Sequence, residues 1–222
     1  MGQFRLAVVQ VIAAIGAGIA LSYTARTFRL SRRGQVTDRF TKALERLSSD
    51  EPYVRIGGIL AMEQIVQDAP EQSGHAARVL NSFVRKHAPA SSTEVLAASQ
   101  LPEQPKEEVQ EALRALTAAA LRRGHHRDPV DLSNLHLKGA LLRGAHLRQA
   151  LLTGTTLDTA DLRDADIAGA DLRDADLSLA DMSTVQGVSA AQILEARKLR
   201  GCRLPEPLSS RSEISGRVSG TS

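Results

Sequence analysis

The sequence has few aromatic residues and a single cysteine. Only 3% of its 222 residues are aromatic and none is tryptophan. Leu, Ala and Ile must therefore fill the interior, which suits a narrow, regular core. Cys202 cannot form an intrachain disulfide, and a lone cysteine fits a reducing compartment. We interpret Cys202 as a small residue near a helix end, because no basic cluster with a histidine surrounds it as a reactive thiol requires.

The sequence also lacks a strong excess of either charge. It has 28 Lys and Arg against 25 Asp and Glu, and a net charge of +3 is too small to indicate nucleic-acid binding. No Ser-His-Asp or Cys-His arrangement is readable, and His125 with His126 lacks further metal ligands at a suitable spacing. We therefore expect a non-enzymatic protein with no cofactor, no metal and no nucleic-acid ligand.

One long uncharged apolar run is present near the start of the chain, from Leu6 to Tyr23. As a helix it would reach about 27 Å, enough for a bilayer core. Basic residues follow it, at Arg26, Arg29, Arg32 and Arg33. The pattern predicts a single-pass anchor in the cell membrane (1–25) and a basic juxtamembrane segment (26–34), with the body in the cytoplasm. A cleaved signal peptide and a buried soluble helix are the alternatives.

The next segment, 35–88, has a helical pattern. Apolar residues recur at helical spacing, and Pro52 suits the first turn of a new helix. Three helices are expected to form a small bundle, with Gly57 and Gly58 allowing the close approach of another helix. A Pro- and Ser-rich stretch, 89–105, is interpreted as a linker.

A repeat of five residues begins at Val130. The chain divides into VDLSN LHLKG ALLRG AHLRQ ALLTG TTLDT ADLRD ADIAG ADLRD ADLSL ADMST. The first residue is usually Ala and the second is Asp in six of the eleven repeats. The third is always a large aliphatic: Leu132, Leu137, Leu142, Leu147, Leu152, Leu157, Leu162, Ile167, Leu172, Leu177 and Met182. These third-position residues are the predicted core of a repeat structure.

A period of five fits neither a helix nor a plain strand. It advances a helix by about 500° per repeat, so the leucines would cover no single face. In a strand it would alternate faces. A square coil resolves the conflict, because one pentapeptide per side points every third residue inward and four sides close a turn. Successive turns would then stack at about 4.8 Å.

These repeats resemble the pentapeptide-repeat family, whose A(D/N)LXX pattern implies a right-handed quadrilateral β-helix over 130–187. The segments RGQVTDRFTKALERL, VRIGGILAMEQI and VLNSFVR resemble the helical portion, of unknown function, of membrane-anchored bacterial members. The resemblance implies an α plus β-solenoid fold whose ends need caps. The expected caps are a helix over 106–124 and a second cap helix over 188–205, which is similar to those of the family; 206–222 is expected to be a disordered tail.

The function expected from this pattern is binding. A run of aspartates from Asp158 to Asp181 is interpreted as the solvated second positions of the repeat, and a metal site or nucleic-acid mimic is the alternative. We expect a membrane-tethered scaffold with an unidentified protein partner or a second copy. A DNA-mimic binder of DNA gyrase, known among family members, is the alternative. Leu141 and Leu151 replace the usual Asp and mark either a surface covered by helix 106–124 or a partner surface.

Overall fold

The computed structural model describes residues 16, 20–24, 34–91, 101–122 and 128–220. The chain divides into two compact units, Met1–Lys42 and Ala43–Ser222. In the first unit the described residues are helical. Most of the predicted anchor lies outside the described residues, as do all four basic residues of the juxtamembrane segment. None of the helices formed by the described residues is long and apolar enough to cross a bilayer.

The second unit opens with a bundle of helices. Helix α1 covers residues 34–47 and contributes its last turn, from Ala43, to this unit. The following elements are α2 (Pro52–Asp68), a 3₁₀ turn (Pro70–Gln72), α3 (Ser73–His87), α4 (Glu107–Thr117) and α5 (Ala119–Arg122). Later in the chain come α6 (Ala190–Glu195) and α7 (Ser212–Ser219).

Helix α4 packs against both α2 and α3 and forms the centre of the bundle. An ion pair joins α4 to α2, with Arg55 Nη2 2.7 Å from Glu108 Oε1, and both side chains are largely buried. Burial would raise the pKa of Glu108, but hydrogen bonds from its backbone and from Arg55 outweigh burial and lower it. The pair therefore remains charged and ties the two helices together.

Of the two adjacent glycines in α2, only one permits a close helix approach. A Cβ on Gly58 would lie 2.9 Å from Leu47 N and 3.0 Å from Ala43 O, both on α1. A Cβ on Gly57 would meet no atom within 4 Å. The prediction that both glycines admit a neighbouring helix therefore fails for Gly57.

The repeats form a solenoid with 20 residues in each coil. Parallel β-bridges join second-position residues across that interval, beginning with Asp131 to Leu151 and His136 to Thr156. Four five-residue sides therefore close each turn. The β-helix prediction holds only in part, because within the described residues the coils pair through isolated bridges and form no continuous strand.

Each corner of a coil is a tight turn with a left-handed residue. The fifth residue of ten successive repeats, from Asn134 to Leu179, has a positive φ. The next first-position N–H donates back to the third-position carbonyl, as from Ala140 N to Leu137 O at 3.1 Å. The small first residue fits this corner, and every third-position side chain is at most 2% exposed.

The helical bundle and the residues after it cap the first coil by supplying the hydrogen-bond acceptors that a preceding coil would provide. In the coils, a second-position N–H donates to the coil before it, as Leu151 N donates to Val130 O. The first coil has no predecessor. Its four second-position N–H groups donate instead to Asn81 Oδ1, Pro89 O, Gln110 Oε1 and Thr117 O. Asn81 and Gln110 also donate to Asp131 O and Leu141 O, so each side-chain amide substitutes for a peptide group.

The described ends of the predicted linker belong to this cap. Ala90 forms an antiparallel bridge with Leu135, and Ser91 Oγ donates to Gly154 O at 2.7 Å. The predicted single helix over 106–124 is interrupted at Ala118, where the backbone is extended. The break leaves the carbonyl of Thr117 free to accept from His146 N at 2.9 Å.

The solenoid continues beyond the eleven repeats, which corrects the prediction of a cap helix over 188–205. Helix α6 has only six residues, and it is followed by two further sides, RKLRG and CRLPE. Lys198 bridges to Asp176 and Arg203 bridges to Asp181. Leu199 and Leu204 are buried as third-position residues, and Cys202 is a buried first-position residue that follows seven residues after the end of α6.

The predicted disordered tail is also wrong for its described residues, 206–220. Leu208 and Ile214 are buried, and Ile214 is fully so. Gly201 N donates to Val218 O at 2.8 Å, and the Arg217 guanidinium donates to Leu194 O at 2.7 Å. The tail therefore packs against the last sides of the solenoid and against α6, because its few apolar residues cover a core edge that would otherwise be exposed.

Candidate interaction surface

The solenoid presents four faces, each defined by a column of second-position residues. Face 1 carries Asp131, Leu151 and Asp171; face 2 carries His136, Thr156, Asp176 and Lys198; face 3 carries Leu141, Asp161, Asp181 and Arg203; face 4 carries His146, Asp166 and Gln186. Because the bridges hold each column in line, side chains from successive coils stand at a fixed spacing on a rigid backbone.

The second-position aspartates have a structural role. Each of the six accepts a hydrogen bond at Oδ1 from the backbone N–H two residues later, as Asp161 does from Arg163 N at 3.1 Å. This local bond satisfies the N–H of the fourth position, inside the corner turn. The expected solvated role was therefore incomplete, because the carboxylates also hold the corners.

Most aspartates on the faces are also paired with a cation. Between Asp158 and Asp181, seven of the eight lie within 4 Å of a Lys or Arg nitrogen; those seven are Asp158, Asp161, Asp164, Asp166, Asp171, Asp176 and Asp181. The hydrogen bond from Arg173 holds the pKa of Asp171 well below its usual range. Burial would raise the pKa of Asp176, but hydrogen bonds from Lys198 and Ser178 lower it.

Leu141 interrupts this polar pattern and is exposed. It is 64% exposed on face 3, although its backbone N–H and carbonyl are both bonded to the Gln110 side chain. The helix predicted to cover Leu141 thus holds its backbone and leaves its side chain open. The interpretation that helix 106–124 covers Leu141 is therefore wrong.

Leu151 does not share a patch with Leu141. It is 37% exposed and belongs to face 1, on the opposite side of the coil. A third exposed leucine, Leu179, is 60% exposed at the fifth position of its repeat, at the corner after face 2. The three leucines therefore mark three separate places on the solenoid.

The remaining titratable groups form no recognisable reaction centre among the described residues. His136 Nε2 lies 2.9 Å from Pro102 O, and no group of His, Cys, Asp or Glu in the described part of the chain is arranged to hold a metal. Burial raises the pKa of Cys202 to about 12, and the Asp181 charge adds to this effect. Its Sγ lies 3.9 Å from Met182 Sδ in the core.

A family model for pentapeptide repeats matches residues 131–183, with eight copies of the repeat. The chain is a pentapeptide-repeat protein. The resemblance of the repeats to this family is thereby confirmed, whereas the segments likened to membrane-anchored members lie outside the matched residues. No curated protein matches this sequence significantly.

The repeat architecture of this pentapeptide-repeat protein extends past the matched residues. The sides RKLRG and CRLPE lie outside the match, because a helix separates them from the regular run and basic residues replace Asp at the second position. Their sequence signals are a leucine at the third position of each five-residue unit, Gly201 at a fifth position and Cys202 at a first position. The sequence also did not predict that the Leu179 side chain is exposed. The repeat pattern assigns no orientation to the side chain at a fifth position.

Proposed function

We propose that this pentapeptide-repeat protein is a non-catalytic interaction protein whose partner docks on face 3 around Leu141. The exposed Leu141 carries this proposal. A leucine at a second position forgoes the local hydrogen bond that Asp provides there, and it adds apolar surface in water. An outward residue with both disadvantages is best explained by a partner that buries it.

The surroundings of Leu141 suit a protein partner. Arg143 lies two residues away and pairs with Asp164, and Asp161 and Arg163 follow in the next coil. An apolar centre with a rim of paired charges is the usual composition of a protein interface. A second copy of the chain is one candidate for the partner, and size measurement of the purified protein tests that case directly.

The sharpest test replaces Leu141 with the residue that the repeat itself prefers. Leu141→Asp restores an acceptor for the N–H of Arg143, so the fold should be retained. Proximity labelling with the intact protein in cells should then lose the partner labelled by the natural sequence. Leu151→Asp makes the same change on the opposite face and should leave that labelling unaltered. Identical labelling in all three proteins would contradict the assignment of face 3.

We further propose that the chain is tethered to the cell membrane with its body in the cytoplasm. The support is the apolar run from Leu6 to Tyr23 and the four arginines after it. Deleting residues 1–25 should move the protein from the membrane fraction to the soluble fraction. Digestion of the body by protease added to unpermeabilised spheroplasts would contradict the orientation.

The ion pairing on the faces favours an interaction protein over a DNA mimic. A mimic of duplex DNA needs uncompensated negative charge in regular rows. Here seven of eight aspartates in the acidic half of the solenoid have cationic neighbours within 4 Å. We expect the full-length protein to leave DNA gyrase supercoiling unaffected. Clear inhibition would favour the DNA-mimic function over the interaction function.

A further inference from the structure

An open cavity of about 680 Å³ lies at the C-terminal end of face 2. Four cationic residues line this cavity together with Ser178 and Asp158. The cations are Arg197, Lys198, Arg200 and Arg217. The cavity is separate from Leu141, which belongs to face 3 at the other end of the solenoid.

Three of these four cations have no carboxylate partner among the residues that the structure describes. Lys198 Nζ is 2.9 Å from Asp176 Oδ2, so its charge is compensated. Asp158 in turn pairs with Lys138 at 3.4 Å. Within the part of the chain that the structure describes, Arg197, Arg200 and Arg217 lie within 4 Å of no carboxylate oxygen. The cavity therefore has an excess of positive charge.

Hydrogen bonds hold the guanidinium group of Arg217 and the main chain of the other two arginines in place. Arg217 donates to the main-chain oxygens of Leu194 and Arg197, which orients it without neutralising its charge. Arg197 N donates to Ala175 O at 2.8 Å, and Leu179 N donates to Arg200 O at 2.8 Å. Both arginines thus extend from backbone fixed by the preceding coil, so a ligand need not order that backbone.

We propose that this cavity binds a phosphate group, carried either by a small molecule or by a lipid headgroup. The planar guanidinium donates paired hydrogen bonds that match phosphate oxygens, and no carboxylate of the described residues lies within 4 Å of Arg197 or Arg200 to compete for them. This site does not depend on the partner proposed for face 3, because no residue is shared between the two.

The test uses the full-length protein and pyrophosphate as the probe, with affinity measured by titration calorimetry in a non-ionic detergent. The double variant Arg197→Gln/Arg200→Gln should weaken binding about tenfold or more, since each change removes a charge-assisted hydrogen bond. Arg211→Gln removes a positive charge from the same end of the chain but from outside the cavity. It should change the affinity less than about twofold.

A second arm separates the two sources of phosphate. Co-sedimentation is measured with phosphatidylcholine vesicles that contain or lack phosphatidic acid, again comparing the double variant with Arg211→Gln. If the double variant loses binding only to the vesicles with phosphatidic acid, the natural ligand is a lipid headgroup. If it loses binding to pyrophosphate, the ligand is a small molecule. Absence of binding in both arms, or equal weakening by Arg211→Gln, overturns the proposal. Arg197→Lys/Arg200→Lys retains the charge but not the paired donors, so it should bind pyrophosphate more tightly than the glutamine variant and more weakly than the natural protein. Binding by the lysine variant as weak as that of the glutamine variant would contradict a role for charge in the cavity.

Discussion

At the scale of single residues, the third and fourth positions of a repeat have opposite environments although they are neighbours. Leu162 is fully enclosed, whereas Arg163 reaches outward to Asp161 at 2.6 Å. The stability of a coil should therefore depend on the inward residue, because burial of an aliphatic side chain contributes far more than an exposed ion pair.

Leu162→Ala should lower the free energy of unfolding by about 2–5 kcal/mol, from lost burial and the cavity left in the stack. Arg163→Gln should change it far less, because the ion pair that it breaks is exposed to water. Chemical denaturation of the two variants provides the comparison. Similar losses in both would mean that the inward and outward positions have been assigned incorrectly.

The side-chain amide of Asn81 should matter more than that of Gln110, although both replace a peptide group at the first coil. Asn81 bonds Asp131 in a partly buried setting, whereas the bonds of Gln110 to Leu141 are exposed to water. Asn81→Ala should cost about 1–3 kcal/mol, because it leaves partly buried backbone groups unpaired. Gln110→Ala should cost less than about 1 kcal/mol, since water can replace it. Equal melting temperatures for the two variants would argue against the amide-cap explanation.

At the scale of elements, α2 offers a matched pair of substitutions. Gly58→Ala places a methyl group 2.9 Å from Leu47 N, so α1 must shift and the protein should lose stability, by roughly 1–3 kcal/mol. Gly57→Ala meets nothing within 4 Å and should stabilise the helix by about 0.5–1 kcal/mol. Melting temperatures that move in opposite directions would support the packing of α1 on α2. A stabilising Gly58→Ala would exclude it.

The tail beyond Pro205 should protect the last two sides of the solenoid. Ile214→Ser introduces a hydroxyl at a fully buried position, which should loosen α7 from the sides that it covers. Amide hydrogen exchange should then increase at Gly201, whose N–H donates to Val218 O, and at Cys202, while the first coil stays protected. Ser215→Ala, at an exposed position of the same helix, serves as the control. Unchanged exchange at Gly201 would show that the tail is not a cap.

How well the sequence predicted each element depended on how local its signal was. The core leucines and the 20-residue coil follow from a period of five, because every repeat carries the same information. The two last sides were missed because helix α6 interrupts the period and Lys198 and Arg203 stand where Asp is usual. The amide cap could not be predicted either, since an Asn on a helix looks the same whether it faces water or a coil 50 residues away.

At the scale of the whole molecule, stability should fall in acid. Hydrogen bonds and neighbouring cations hold the pKa values of Asp161, Asp171, Asp176 and Asp181 below normal in the folded protein. Aspartate side chains in an unfolded chain have a pKa of about 3.9. A lowered folded pKa gives stability that is complete above about pH 4 and is lost as the pH falls towards the folded values.

The melting temperature of the full-length protein should therefore decrease steeply below about pH 4. Asp176→Asn removes one of the groups responsible and should flatten the decrease. Asp174→Asn changes an exposed aspartate in the preceding repeat and should retain the natural profile. An Asp176→Asn protein with the same acid dependence as the natural one would show that this carboxylate contributes nothing to the effect.

Because four equal sides close each coil, the number of residues inserted or deleted determines where all later side chains point. Deleting one pentapeptide would leave the core intact but rotate all later repeats by a quarter turn about the solenoid axis. Each later side chain would then move to the neighbouring face. Only multiples of 20 residues preserve direction. The segment between Gln186 and Lys198 has two residues more than two regular sides, and helix α6 absorbs them. Helix α6 therefore keeps the final sides in register with the earlier coils, so the cationic cavity stays aligned with face 2.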